Sequence, residues 1–182
     1  AFAEYSFSLG KKVHNFKVLA GYNQEKKHNK YFYGGRKNLI DNTNPSPNLA
    51  TGDMAFSGSE SEWATNGWFG RINYDYMGKY LIELNGRYDG SSKFPKGDRY
   101  AFFPSGSVAW RMSEEKFWEP LKTWWDYAKI RASYGSLGNQ AVSGNFPYLA
   151  TYGVNTKYGA LLGGSLPVSV SGPGLVSASL TW

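Results

Sequence analysis

The sequence predicts an all-β fold: an antiparallel meander of about seven long strands forming part of a transmembrane β-barrel, with long loops on one side and short turns on the other. Three observations predict it. Apolar and polar residues alternate with period two along most of the chain. Short turns and long connections alternate between these runs. The apolar residues are also unusually aromatic, with 14 Tyr, 11 Phe and 7 Trp beside 22 Gly in 182 residues. Rings with an apolar body and a polar tip suit a boundary between an apolar phase and water.

Taken in order, Tyr5, Phe7 and Leu9 face away from Glu4, Ser6 and Ser8, and Gly10-Lys11-Lys12 turns the chain. Phe16, Val18, Ala20 and Tyr22 then oppose Asn15, Lys17 and Gly21. A connection rich in Gly, Ser, Asn and Pro is expected over 24–62. The clearest pair follows. Trp68, Gly70, Ile72, Tyr74 and Tyr76 oppose Phe69, Arg71, Asn73 and Asp75; Tyr80, Ile82, Leu84, Gly86 and Tyr88 oppose Leu81, Glu83, Asn85, Arg87 and Asp89. Met77-Gly78-Lys79 between them is short enough to close a hairpin.

Another long connection, 89–99, leads to Phe102, Pro104, Val108 and Trp110, opposed by Ser105, Ser107 and Arg111. Ser113 to Trp118 reads as one helical turn, with Ser113 as cap and Glu114 and Glu115 in its first turn. Ala128, Ile130, Ala132 and Tyr134 then oppose Lys129, Arg131 and Ser133. After a long loop over 138–173, Val176, Ala178, Leu180 and Trp182 oppose Ser177, Ser179 and Thr181. The tight turns fall at one end of the sheet and the long loops at the other, the medium-length connection at 113–125 on the short-turn side being the exception. This is the organisation of outer-membrane barrels. A soluble antiparallel sandwich with one wet face alternates in the same way and stands as the alternative. Runs of about ten residues favour a tilted membrane crossing over a sandwich strand.

Composition narrows the function. The chain has no Cys, which excludes a disulfide framework, a thiolate zinc site and a cysteine nucleophile. The formal charge of +6 is spread along the chain, except for Lys26-Lys27-His28-Asn29-Lys30, read as a solvated loop. No motif supports nucleic-acid binding. His14 and His28 are the only histidines and match no metal-ligand spacing, His14 reading as a strand residue near a turn and His28 as a loop residue. No catalytic residue, metal site or cofactor is predicted, and the chain is read as a non-enzyme. The opening Ala1 and the lack of a signal peptide suggest a mature or internal stretch of a longer protein.

Several phrases carry a family resemblance. They are Gly70-Arg71-Ile72-Asn73-Tyr74-Asp75-Tyr76 with Gly78-Lys79-Tyr80-Leu81, then Asn85-Gly86-Arg87-Tyr88-Asp89-Gly90-Ser91-Ser92-Lys93-Phe94. Phe102-Phe103-Pro104-Ser105, Ala109-Trp110-Arg111, Arg131-Ala132-Ser133-Tyr134-Gly135 and Leu137-Gly138-Asn139-Gln140 continue the series. In this order they closely resemble the SusC/RagA family of TonB-linked outer-membrane transporters, with the match running from about Trp63 to Gln140. The resemblance implies that residues 1–182 are a portion of the C-terminal barrel domain of a large transmembrane β-barrel, with no plug domain present. It implies import of large nutrients, glycans or peptides, across the outer membrane of a Gram-negative bacterium. The implied partners are the plug domain of the same full-length protein, a SusD-type surface lipoprotein, TonB through a missing N-terminal part, and outer-membrane lipid.

On this reading Arg71, Asn73, Asp75, Glu83, Asn85, Arg87, Lys129 and Arg131 face the lumen, lining the solute route, holding the plug, or forming a cross-strand ionic ladder. Asp89, Lys93, Phe94 and Tyr100 are surface-loop candidates for ligand or partner contact; the same loop could instead fold back into the barrel mouth. Tyr76, Tyr80 and Trp110 fall in an aromatic girdle near the short turns. Two rivals remain: a secreted carbohydrate-binding β-sandwich that stacks sugars on exposed rings, and a passive porin or adhesin barrel.

Overall fold

The computed structural model describes residues 1–155, 164, 168–176 and 180–182. They divide into two compact units, Ala1–Glu25 with Ala64–Trp182, and Lys26–Trp63. Six strands form one sheet in chain order: β1 (Phe2–Leu9), β2 (His14–Arg36), β3 (Met54–Tyr76), β4 (Tyr80–Ser91), β5 (Tyr100–Arg111) and β6 (Lys129–Gly135). The meander is therefore as expected, and the sheet is open, with β1 and β6 at its edges. A separate two-stranded ribbon pairs β7 (Gly153–Asn155) with β8 (Ser169–Ser171).

In the first unit the register follows the period. Arg71 pairs with Asn85, Asn73 with Glu83 and Asp75 with Leu81; between these rows Ile72 meets Leu84 and Tyr74 meets Ile82. The β3–β4 hairpin pairs Tyr76 with Tyr80 across Met77-Gly78-Lys79; in the turn from Tyr76 to Lys79 the central Met77 and Gly78 have φ of 53° and 70°, and the Lys79 N–H donates to Tyr76 O at 2.9 Å. Both central residues are left-handed, the type I′ geometry whose twist matches paired strands. Gly78 suits it; Met77 carries the cost of a β-carbon there. The Asp75 carboxylate accepts the Gly78 N–H at 2.7 Å and fixes the turn.

Close approach explains another glycine. A β-carbon at Gly21 would collide with the ring of Phe69, which lies across β2 at that point. The Arg87 guanidinium sits 5.6 Å over the same ring.

The core is small. Among the described residues the buried apolar side chains are Ala50, Phe94, Trp118 and Ala128. The aliphatic face of the sheet is uncovered: Ile72, Leu84, Val108 and Ile130 are 47–57% exposed. A soluble sandwich would bury that face against a second sheet. The described residues provide none, and an uncovered apolar surface of this extent marks a lipid or protein interface.

Three expectations need correction. The 24–62 segment is mostly strand, because β2 runs to Arg36 and β3 starts at Met54, 23 residues each. Both faces of this part are largely polar, so period-two hydrophobicity gives no signal; Lys26 to Lys30, including His28, is strand and not loop. Ser113 does not cap a helix: a 3₁₀ turn covers Met112–Glu114 with no side-chain cap bond, a second covers Lys116–Leu121, and Ser113 is buried. The expected strand at 176–182 includes Ser177, Ala178 and Ser179, which lie outside the described residues, and Leu180 to Trp182 are not strand.

The second unit is the far part of the β2 and β3 strands and the loop joining them. Lys26 pairs with Glu62 at 3.1 Å and Lys30 with Glu60 at 2.6 Å, all largely exposed. Beyond them the loop is tied by Arg36 Nε donating to Gly52 O at 2.7 Å and by a bridge between Leu39 and Ala50. A 3₁₀ turn at Pro47–Leu49 completes it.

Candidate functional site: a two-faced wall

Paired residues in adjacent strands share a face, so the register sorts the side chains directly. One row runs Asp75, Leu81, Ala109, Arg131 and the next runs Asn73, Glu83, Ser107, Ser133. Arg71 and Asn85 form a third row with Ser105, and Lys129 sits opposite Arg111. All eight polar residues singled out from sequence therefore lie on one face of one sheet. They line concavities, one of about 600 Å³ bordered by Lys17, Asn73, Asp75, Glu83, Lys129 and Arg131.

The contacts on this face are mostly hydrogen bonds and less an ionic ladder. Arg71 Nε donates to Asn85 Oδ1 at 2.8 Å, and Asn85 Nδ2 donates to Glu83 Oε1 at 3.0 Å. Arg87 grips Asp89 on its own strand through two bonds of 2.9 Å. Arg131 reaches Ser107 Oγ at 3.2 Å, and Lys17 pairs with Glu4 at 2.9 Å. Cationic and anionic groups thus stand within one wet surface, suited to holding a polar solute or a polar protein surface.

The opposite face is apolar and banded. Tyr76, Tyr80, Trp110 and Ile130 form one row near the short turns. Rings cluster beside it: His14 lies 5.1 Å from Tyr76, and Phe16 lies 4.9 Å from Tyr74. His14 Nδ1 is 2.9 Å from the Tyr74 hydroxyl. Near the other end Trp68, Tyr88 and Phe102 form a second aromatic row, with Tyr22 on Trp68 at 4.8 Å. Ile72, Leu84, Ile82, Val108 and Ala132 fill the band between. Tyr80 and Tyr88 are eight positions apart, about 27 Å along a strand, or about 20 Å of height at a tilt of about 40°. That approaches the apolar band of a barrel wall.

The loop candidates separate. Of the two readings of Phe94, ligand or partner contact and a loop folded back, its burial favours the second: it is fully buried, packed on Trp182 at 5.0 Å, while Trp182 also meets Phe103 at 5.4 Å. The Trp182 indole N–H donates to Arg99 O at 2.9 Å. Lys93 Nζ points to Gln140 O at 3.4 Å. The loop is thus folded back on its own neighbours, because Phe94 is the apolar residue within an otherwise polar turn. Asp89 and Tyr100 belong to strands, with Asp89 held by Arg87 and Tyr100 stacked on Tyr88 at 5.4 Å, on the apolar face.

One cluster went unforeseen. The Glu115 carboxylate, expected in a capping role, accepts from Lys79 Nζ at 2.9 Å, Tyr80 OH at 2.8 Å and Trp110 Nε1 at 3.4 Å. These bonds, that from Lys79 first and Tyr80 next, hold its pKa below the ordinary carboxylate value. The same bond raises Lys79. Lys79 and Glu115 are 36 positions apart, so no local motif announces the pair. No group of His, Cys, Asp or Glu among the described residues is arranged to hold a metal ion. Among the described residues no helix is long and apolar enough to cross a membrane, which says nothing about strands.

An antiparallel meander with a polar face, an apolar face banded by aromatics and short turns at one end has the organisation of a membrane β-barrel wall. Sequence comparison then gives the family. The chain is 38% identical over 144 residues to TonB-dependent receptor P3 of Formosa agariphila, covering 76% of the chain and 14% of the receptor. It is 38% identical over 145 residues to TonB-dependent receptor P26 of the same organism, and 36% identical over 115 residues to TonB-dependent receptor SusC of Bacteroides thetaiotaomicron. No protein-family model matches. The RagAB peptide transporter matches in fold with TM-score 0.80 at 21% identity, covering 100% of this chain and 19% of that one. The RagAB peptide importer in its closed-closed state gives 0.83 at 23%. The chain is a relative of the SusC-type TonB-dependent receptors, and its likeness to RagAB is one of fold. It spans 14% of the length of the first two relatives.

Proposed function

We propose that the chain is barrel wall and surface loop of a TonB-dependent active importer of large nutrients, glycans or peptides, in the outer membrane of a Gram-negative bacterium. The observation that carries this is the two-faced sheet, its apolar face uncovered and banded by aromatics, in a chain related to TonB-dependent receptors. Lipid covers the apolar face. Arg71, Asn73, Asp75, Glu83, Asn85, Arg87, Lys129 and Arg131 face the lumen, where the plug domain of the same full-length protein and the passing solute meet them. Tyr76, Tyr80 and Trp110 belong to the girdle at the periplasmic boundary. Energy enters through TonB, and a SusD-type lipoprotein delivers the solute to the full-length receptor.

The test is twofold. Antibody to the chain should detect, in the outer-membrane fraction, a band several times heavier than 20.3 kDa; a band of that size in the soluble fraction would promote the sugar-binding sandwich. Cells carrying the full-length receptor should take up labelled oligosaccharide or peptide only while the proton gradient is intact. Uptake that survives collapse of the gradient would point to a passive channel instead.

A further inference from the structure

We infer that the connection between β5 and β6 is a membrane-interface anchor: its exposed aromatics lie in the headgroup layer of the periplasmic leaflet. The inference rests on the barrel reading above. Residues 112–128 are a folded element with an interior of its own. Trp118 is buried, donates its indole N–H to Trp125 O at 2.9 Å and meets the Trp125 ring edge-on at 5.6 Å. Ala128 and Ser113 are buried beside each other, with the Ser113 N–H donating to Ala128 O at 3.2 Å. Outside this interior the element presents large apolar side chains to solvent. Trp124 is 92% exposed, and Trp125, Phe117 and Leu121 are between 48% and 61% exposed. A loop bathed only in periplasmic water has no reason to display them.

Two contacts set their side and depth. Phe117 lies 6.1 Å from Trp110, whose row carries the apolar face, so the connection continues that face. Glu115, two residues earlier, accepts bonds from Tyr80 OH and Trp110 Nε1, which places an anion against the lipid side of the wall. An ionised carboxylate with a Lys79 partner is costly in hydrocarbon and at ease among headgroups. The polar tips of Tyr80 and Trp110 therefore mark the hydrocarbon boundary, and Phe117 to Trp125 begin there. Trp and Phe rings at that level are the side chains the interface favours. The occupant is lipid; a plug, a partner protein or a second copy would be alternatives for the same surface.

The test uses the full-length receptor in lipid vesicles, with native cysteines removed and single nitroxide-labelled cysteines placed by Phe117→Cys, Trp124→Cys, Val108→Cys and Lys96→Cys. Collision with oxygen, which partitions into lipid, is compared with collision with a water-soluble nickel chelate. Val108 lies in the mid-wall band and reports the barrel reading; Lys96 is exposed on the loop after β4 and reports water. The oxygen-to-nickel ratio at Phe117 and Trp124 should stand several-fold above Lys96 and below Val108. Trp124 reading as wet as Lys96, or shielded from both reagents by protein, overturns the anchor while a lipid-like Val108 leaves the barrel standing. A water-like Val108 overturns both.

Discussion

The β2 and β3 strands carry two chemistries along one backbone. In the wall, β3 alternates Trp68, Ile72, Tyr74 and Tyr76 on one face with Arg71, Asn73 and Asp75 on the other. In the Lys26–Trp63 unit the same two strands keep their pairing but lose this segregation: Lys26, His28 and Lys30 meet Glu62 and Glu60, and Tyr31, Phe32 and Phe56 are exposed on largely polar surroundings. Strand length is thus no measure of a membrane crossing. The crossing is marked by where one face turns wholly apolar between two aromatic rows. The extension is held by ladder bonds and surface ion pairs, each pair worth about 0–1 kcal/mol.

The contrast predicts graded effects of substitution. Ile82→Arg puts a charge in the middle of the apolar band and should cost about 2–4 kcal/mol, enough to block assembly in the outer membrane. Asn85→Arg, three positions on but on the polar face, should assemble far better, as should Phe56→Arg in the extension at within about 0.5 kcal/mol. The folded, heat-modifiable fraction on gels measures all three; equal assembly of Ile82→Arg and Asn85→Arg would contradict the facing.

Acid should loosen the boundary cluster next. Glu115 has a lowered pKa, so its contribution is present above the ordinary carboxylate value of 4.5 and disappears as pH falls through the lower folded value. Lys79 is raised, so its share holds below its ordinary 10.5 and fades as pH rises through the raised value. Denaturation of the reconstituted receptor between pH 3 and 7, about the range over which carboxylates titrate, should show a steeper acid loss for wild type than for Glu115→Gln.

Smaller still, Met77→Asn should stabilise the β3–β4 turn by about 0.5–1 kcal/mol, because Asn-Gly tolerates two left-handed residues better than Met-Gly. The smallest change is expected from Lys26→Ala, within about 0.5 kcal/mol by the same assay.

Much of the wall was legible in the sequence because alternation is a local property. Hydrophobic period two over Trp68 to Tyr88 gave both strands, their turn and the face of every residue, Arg71 to Arg87 included. The extension was not legible, since strands polar on both faces lack that signal and Gly, Ser and Asn there imitate a loop. The partners of Phe94 and Glu115 were not legible for a different reason. Their roles depend on Trp182 and Lys79, which sequence distance hides; a lone Phe in a polar loop is a hint of burial, whereas Glu115 beside Glu114 offers none.

The most direct measurement is a cysteine scan of the full-length receptor from Tyr80 to Tyr88, labelling each position in intact outer membranes with a water-soluble maleimide. Labelling should alternate with period two, with Leu81, Glu83, Asn85 and Arg87 reactive and Ile82, Leu84 and Gly86 protected. Uniform labelling, or a pattern shifted by one residue, would contradict a membrane wall with these faces.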